Sequence, residues 1–466
     1  MGESVEQTTS DVQASAEPQL LRGLGLVEST TLVVGGIIGS GIFLVPSIVA
    51  RETGAPGLSL AVWVVCAVLA TCGALCYAEL SAALPETGGT YPFLRRAYRV
   101  PIFSFLFGWS LFFVIMTGAI GAVATAFASY AGYFLGQAVP YGPWTQRLVA
   151  VSCILFLTAM NCLGVRVGGQ IQNLFTFLKV AALVGLIGVG LLFGHRAGTP
   201  LTPFLPAAKS GSDLVTAFGT AMITTLFAYN GWYYSSFMAG EITQPQRTIP
   251  RSLILSMGIV LVIYLLANYV YLSILPFEHL QASTLVAADA MKAVIGPVGG
   301  GLIALAVMVS TFGTVNAQLL ATPRVYYAMS RDRLFFGWIN RVHPRFHTPT
   351  AAILFQGIWA SGFALSGTYR QIITYAAFTN YLFLSMAVAG VLILRRREPL
   401  LHRPYRVWGY PVTPILFLLV SAGYLITSLI GRFQESMVGV ALMLVGVPFY
   451  FYWSRRSRTI QEGSSR

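Results

Sequence analysis

The chain has 466 residues, 56% hydrophobic and 10% charged, with a mean hydropathy of +0.71. Soluble domains carry roughly a quarter charged residues, so composition alone excludes a cytosolic, secreted or nucleic-acid-binding globule. The net charge of +13 is explained by where the basic residues fall, and no nucleic-acid partner is needed to account for it.

The first residues, with Glu3, Glu6, Asp11 and Glu17 among Ser, Thr and Gln, predict a disordered cytoplasmic tail over 1–21 without a cleavable signal. Met1-Gly2 opens like a myristoylation signal, but Glu6 stands where that motif wants Ser or Thr. Apolar runs of about 18 to 25 residues, the length that spans a bilayer core, then recur. They lie near 24–50, 57–84, 102–136, 147–163, 168–194, 212–239, 251–275, 299–329, 349–366, 370–394, 412–429 and 436–453. Lipid satisfies no unpaired backbone group, so these twelve runs are predicted to be helices in a lipid bilayer. With both termini cytoplasmic, most of the 29 Lys and Arg residues fall in inner segments, as the positive-inside rule requires. A second short cytoplasmic tail is predicted over 454–466. Cys66, Cys72, Cys76, Cys153 and Cys162 all lie inside apolar runs, which predicts buried thiols and no disulfide framework. His343 and His347 flank Pro344-Arg345-Phe346 with no acidic ligand nearby, so neither a metal site nor a cofactor is expected.

Two of the runs are interrupted. The first carries Gly35, Gly36, Gly39 and Gly41 within seven residues, and each Gly costs about 1 kcal/mol against Ala inside a helix. Such a cluster invites unwinding, and the freed backbone groups must then face a cavity or a ligand. The sixth run is broken by Phe227-Ala228-Tyr229-Asn230-Gly231-Trp232-Tyr233. Taken alone the glycines would serve close helix packing equally well. Breaks in the first helix of each of two five-helix groups point instead to an inverted-repeat transporter with a midplane binding site. Half-helix N-termini suit a carboxylate and freed carbonyls suit an ammonium, so a zwitterionic amino acid fits both.

Gly39-Ser40-Gly41-Ile42-Phe43, Tyr77-Ala78-Glu79-Leu80 with Gly88-Gly89-Thr90-Tyr91, the sixth-run break, and Glu241-Ile242-Thr243-Gln244-Pro245 together resemble the amino acid-polyamine-organocation superfamily. Phe312-Gly313-Thr314-Val315-Asn316 and Arg403-Pro404-Tyr405-Arg406 add to the likeness, which is narrowest to the L-type amino-acid transporter branch. The resemblance implies an all-α, twelve-helix fold of the LeuT type. Its transporter domain covers 22–453, with one repeat near 24–194, an inverted second near 212–394, and two further helices near 412–453.

By the same resemblance, Ile38, Gly39, Ser40, Gly41 and Ile42 bind the substrate's α-carboxylate and α-amino groups through the backbone. Phe227 acts as a lid, with Ala228 beside it in the break. Asn230 stands where cationic-substrate relatives have Asp; lacking a formal charge, it favours neutral substrates, and replacing Gly it favours small or polar ones. Ser129 in the third run and Tyr381 in the tenth are candidate lining residues. Lys179 lies deep in the fifth run, where a charge needs a partner. The likeness implies that it stands where sodium-coupled relatives hold an ion, as a fixed cation or as a group that carries protons. Glu79 and Glu241 are read as gate or scaffold ion pairs. Animal heteromeric members join a heavy chain through a Cys between the third and fourth helices. Here that loop is Gln137-Ala138-Val139-Pro140-Tyr141-Gly142-Pro143, so no disulfide-linked heavy chain is expected. The expectation is a non-enzymatic exchanger of neutral L-amino acids in the cell (inner) membrane. A proton-coupled symporter and an amino-acid sensor are the alternatives.

Overall fold

The computed structural model describes residues 20–136, 139–194, 201–206, 211–366, 369–431 and 433–464. Ten helical stretches among them are long and apolar enough to cross a membrane. Two shorter apolar helices, Asp213–Ala228 and Thr350–Ser366, fill the sixth and ninth predicted spans. The protein is an all-α, multi-pass membrane protein. Among the described residues the β-type pairing consists of one isolated bridge, Leu24 to Ile242.

In chain order, α1 (Leu26–Ile37) and α2 (Gly41–Thr53) are the halves of the first span, and α3 (Pro56–Ala83) is the second. A short α4 (Thr90–Tyr98) leads to the third, made of α5 (Pro101–Ser110), a π-helical turn over Leu111–Met116 and α6 (Thr117–Leu135). The fourth and fifth are α7 (Pro143–Cys162) and α8 (Val165–Phe193); α9 (Gly211–Ala228) and the one-turn α10 (Tyr234–Phe237) are the sixth. After α11 (Pro245–Ile274) come the short α12 (Phe277–Ala282) and α13 (Val286–Ile295), then α14 (Pro297–Ala321) and α15 (Pro323–Arg331) as the eighth span. The last four are α16 (Thr350–Ser366), α17 (Tyr369–Arg397), α18 (Val412–Gly431) and a pair, α19 (Phe433–Leu444) with α20 (Gly446–Ser464).

Proline starts α3, α5, α7, α11, α14 and α15, where its missing N–H costs nothing. Gly54, at φ +73°, ends α2 in the left-handed conformation a helix stop requires. In the third span the Thr117 hydroxyl donates to the Phe112 carbonyl five residues back, at 2.7 Å, capping the π turn. Three helices depart from the sequence reading. α4, α12 and α13 carry Arg95 and Arg96, Glu278, and Asp289 and Lys292, too polar for a search that weighs only long apolar runs. The final helix also continues to Ser464, past the predicted boundary at 453.

The interior divides into two cores. Ile120, Ala124 and Ala128 of α6, Cys153, Ile154 and Leu157 of α7, Val315 and Leu319 of α14, and Ala360 of α16 form one. A larger one joins α1, α2, α3, α11 and α17 with the remaining helices. Large apolar side chains along α8, among them Leu174, Phe177, Val184 and Leu192, are exposed as a hydrocarbon-facing surface. At one end of the bundle Arg95 pairs with Glu86 and Asp332, Arg96 with Glu398, Arg395 and Arg403 with Glu79, and Arg324 with Glu241.

Candidate functional site

The glycine cluster breaks the first span as its composition requires. α1 stops at Ile37, Ile38 turns to extended backbone at φ −73° and ψ 92°, and α2 restarts at Gly41 with Ser40 at its N-cap. Restarting a helix leaves its first N–H groups without intrahelical acceptors and at the positive end of the dipole. The opposite half leaves carbonyls. Lys179 answers two of them: its Nζ donates to the carbonyls of Gly35 (2.9 Å) and Ile38 (2.7 Å), and also to that of Ser310 on α14 (2.8 Å), with the Thr314 hydroxyl at 3.1 Å. The Ser310 hydroxyl lies 3.1 Å from the carbonyls of both Ile38 and Gly39. Lys179 is fully buried, and its partners among the described residues are three carbonyls and a hydroxyl, so neutral oxygens hold the charge.

The sixth span breaks after Ala228. Gly231 adopts φ +112°, and its N–H donates to the Asn230 side-chain oxygen at 3.0 Å. The two breaks interlock through glycine. A Cβ on Gly36 would meet the Tyr234 ring at 2.6 Å, one on Gly41 would meet the Ala228 Cβ at 2.9 Å, and one on Gly231 would sit 3.0 Å from the Gly36 backbone. One hydroxyl spans both breaks: that of Tyr264 on α11 lies 3.1 Å from the Ile37 carbonyl and 3.2 Å from that of Ala228. Gly231→Ala meets both the positive φ, which costs an L-residue about 1–2 kcal/mol, and the Gly36 backbone. A lowered thermal midpoint and loss of uptake are expected; normal uptake by this variant would show that the breaks need not touch.

Between the breaks lies a cavity of about 340 Å³. Gly39, Ser40 and Gly41 line it from the first span, and Phe227, Ala228 and Asn230 from the sixth. Thr314 and Gln318 line it from α14, and Asn380 and Tyr381 from α17. It extends past Ile48 to Glu52, along α2 and away from the arginine-rich end. Toward that end it is closed. Tyr234 packs on Gly36, the Gly23 and Leu24 N–H groups donate to the Glu241 carbonyl at 2.9 and 3.1 Å, and the Thr243 N–H donates to the Leu24 carbonyl at 2.8 Å. The chemistry on offer is a set of free N–H groups for a carboxylate, carbonyls for an ammonium, and amides and hydroxyls for a neutral side chain.

Seven of the residues singled out from sequence meet at this cavity: Gly39, Ser40, Gly41, Phe227, Ala228, Asn230 and Tyr381. Phe227 is 41% exposed, its ring open to the cavity, while the Tyr381 hydroxyl donates to the Leu226 carbonyl at 3.2 Å. Ile38 and Ile42 are fully buried outside the lining, and Ile38 contributes its carbonyl to Lys179. Ser129 is a correction: it lies outside the cavity, and its hydroxyl donates to the Thr125 carbonyl at 2.9 Å and accepts from Gln146 at 2.6 Å. The third span faces the cavity through Ile115, Met116, Ala119 and Val123, and Ser129 falls out of phase with that face. Glu79 and Glu241 lie away from the cavity. Glu79 accepts from Arg395 at 2.8 Å and from Val407 N–H at 2.7 Å; Glu241 forms a bidentate pair with Arg324 at 2.6 and 2.9 Å, both side chains fully buried. Sequence reasoning missed Tyr264, Gln318 and Asn380. A mid-span tyrosine is a usable signal, because its hydroxyl must find a partner when buried.

Residues 24–451 match the amino acid permease family. The chain is 32% identical over 440 residues to the serine/threonine exchanger SteT of Bacillus subtilis, covering 94% of this chain and 98% of that one. It is 32% identical over 450 residues to the large neutral amino acids transporter small subunit 2 of Mus musculus, covering 95% and 83%. With the b(0,+)-type amino acid transporter 1 of Homo sapiens it shares 32% over 444 residues, covering 94% and 89%. The chain belongs to the amino acid permease family, in the L-type branch of the amino acid-polyamine-organocation superfamily, and is a membrane transporter of amino acids, not an enzyme.

Proposed function

We propose that this permease is a sodium-independent exchanger of small or polar neutral L-amino acids, working by alternating access in the cell (inner) membrane with both termini cytoplasmic. The observation that carries the reading is the Lys179 ammonium among the oxygens of Gly35, Ile38, Ser310 and Thr314. Four oxygens at 2.7–3.1 Å around a buried positive charge are what a coupling cation would otherwise occupy, so the protein carries its own. The name of the Bacillus subtilis relative, a serine/threonine exchanger, supports small polar cargo. With the arginine-rich end cytoplasmic, by the positive-inside rule, the cavity opening past Ile48 and Glu52 faces outward and the Leu24–Ile242 closure is the inner gate. The separate core shared by α6, α7, α14 and α16 supports a rigid body against which the broken helices rock.

The mouse relative is named a small subunit, whereas this chain is expected to work without a disulfide-linked heavy chain. Cys66, Cys72, Cys76 and Cys153 are buried, and no cysteine falls between the third and fourth spans. Residues 137–138 of that loop lie outside the described residues.

The test is uptake of a labelled amino-acid panel into proteoliposomes loaded with unlabelled amino acid, with sodium or choline outside. Equal uptake of small neutral substrates in both salts is expected; a sodium requirement would sink the reading. Asn230→Asp keeps the acceptor for the Gly231 N–H but adds a charge. It should shift competition toward lysine and arginine by about tenfold, the worth of one charge-assisted bond. An unchanged competition profile would remove Asn230 from the side-chain pocket.

A further inference from the structure

On the inner side of the first-span break, one face of α8 meets the backbone of α1. Gln172, Thr176 and Lys179 are spaced four and three residues apart, so they share that face, and all three are buried. They donate to α1 carbonyls that rise at the same stride. The Gln172 amide reaches the Thr31 carbonyl at 3.2 Å, the Thr176 hydroxyl reaches the same carbonyl at 3.0 Å, and Lys179 takes those of Gly35 and Ile38. Gly35 permits this approach, because a Cβ there would overlap both the Gln172 amide and the Thr176 hydroxyl.

Gln172 is itself held from two other helices. Its Oε1 accepts from Asn316 Nδ2 at 2.9 Å, and Asn316 Oδ1 accepts from Asn161 Nδ2 at 2.8 Å. Asn316 lies on α14 and Asn161 on α7, both helices of the separate core. Each amide therefore donates to the next in the direction of α1. Gln172 has one orientation that fits this chain: turned over, its oxygen would face the Thr31 carbonyl and its N–H groups would face those of Asn316.

The bonds on the other side of α1 lead elsewhere. The Ser256 hydroxyl donates to the Thr30 carbonyl at 3.2 Å and that of Tyr264 to the Ile37 carbonyl at 3.1 Å, both from α11. Tyr264 also holds Ala228, so these bonds follow the second break. Because α1 closes the cavity on the arginine-rich side together with Tyr234, opening there requires α1 to part from the core. The Gln172 amide spans that parting. It also lies 3.1 Å from the Thr176 hydroxyl, and so keeps a partner when the Thr31 carbonyl departs.

We propose that Gln172, oriented by Asn316 and Asn161, is a positioning residue that holds α1 against the core while the cavity faces outward, and that its release from the Thr31 carbonyl belongs to the step that opens the cavity inward. This rests on the alternating access proposed above.

Gln172→Leu removes the donor at similar volume, leaving the Asn316 amide its Gly168 carbonyl and the Thr31 carbonyl its Thr176 partner. Exchange of labelled L-threonine by the full-length protein is measured in right-side-out and in inside-out membrane vesicles, each loaded with unlabelled neutral amino acids. Half-saturation is thereby read at the outer and the inner face separately. The ratio of outer to inner half-saturation should rise by about three- to tenfold, the worth of one net hydrogen bond moved between two populations. Asn316→Leu should move the ratio the same way, and the double variant no further than Gln172→Leu alone, because both act through one bond. Retained exchange with an unchanged ratio in Gln172→Leu would overturn the proposal, since a residue that only supports the fold lowers the yield of protein without favouring either face. Absence of exchange for every neutral amino acid in the wild type would instead overturn the function it rests on. Should Gln172→Leu not accumulate as folded protein, a disulfide decides. Thr31→Cys with Asn173→Cys joins α1 to α8 where the Thr31 hydroxyl donates to the Asn173 side chain. Exchange lost on oxidation and regained with reductant supports the proposal; undiminished exchange by the cross-linked protein contradicts it.

Discussion

Replacing Lys179 with alanine is expected to abolish amino-acid uptake while the protein still reaches the membrane. The substitution withdraws the donor from the carbonyls of Gly35, Ile38 and Ser310 at once. Each buried acceptor left unpaired costs about 1–3 kcal/mol, so even two of them at the low end slow a step that needs this geometry by about tenfold to a hundredfold. Ser310 and Thr314 still reach Ile38 and Gly39, which holds part of the break together and preserves folding. Lys179→Arg should not rescue: a planar guanidinium cannot direct donors as a compact ammonium does. Initial uptake rates at matched protein level check this, and a variant at wild-type rate would contradict the account.

The second large effect concerns Glu241 and Arg324, which face each other with both side chains fully buried. Removing one partner of such a pair strands a charge in a low-dielectric interior, at about 3–5 kcal/mol. Arg324→Met and Glu241→Met should each lower the thermal midpoint strongly and reduce accumulation. The double variant, which removes both charges, should recover much of the stability. Its transport should not recover. Glu241 also supplies the carbonyl that accepts from the Gly23 and Leu24 N–H groups, so the pair ties the entrance of α1, and the Leu24–Ile242 closure, to α15. A double variant as unstable as the singles would show that the pair contributes little by charge compensation. A double variant with full transport would show that the closure does not depend on it.

The twelve spans and both breaks were legible because their causes are local. Apolar runs of bilayer length admit only helix in lipid, and four glycines in seven residues at mid-span have no use in an unbroken one. Lys179 was legible for the same reason: one basic residue in an apolar run must have a partner. What escaped depends on rotation and on packing between distant segments. Ser129 is a polar residue in the right span, but a hydroxyl in a membrane helix is commonly satisfied by its own backbone, as the Thr125 carbonyl satisfies this one. Which face of the third span lines the cavity is set by helix phase, and the π turn at Leu111–Met116 slips that phase midway. Tyr264 matters for the carbonyls it meets on α1 and α9, which no local pattern displays. The ion pairing of Glu79 and Glu241 is legible from the arginine-rich segments around them, whereas their burial comes from helices closing over them.

Exchange with a fixed internal cation and no driving ion is to be measured as uptake of labelled threonine into sodium-free proteoliposomes that are either empty or loaded with unlabelled threonine. Rapid uptake into loaded vesicles and almost none into empty ones is expected, with no stimulation by an acid-outside gradient. Equal uptake into empty vesicles, enhanced by that gradient, would contradict it and make Lys179 a carrier of coupling protons.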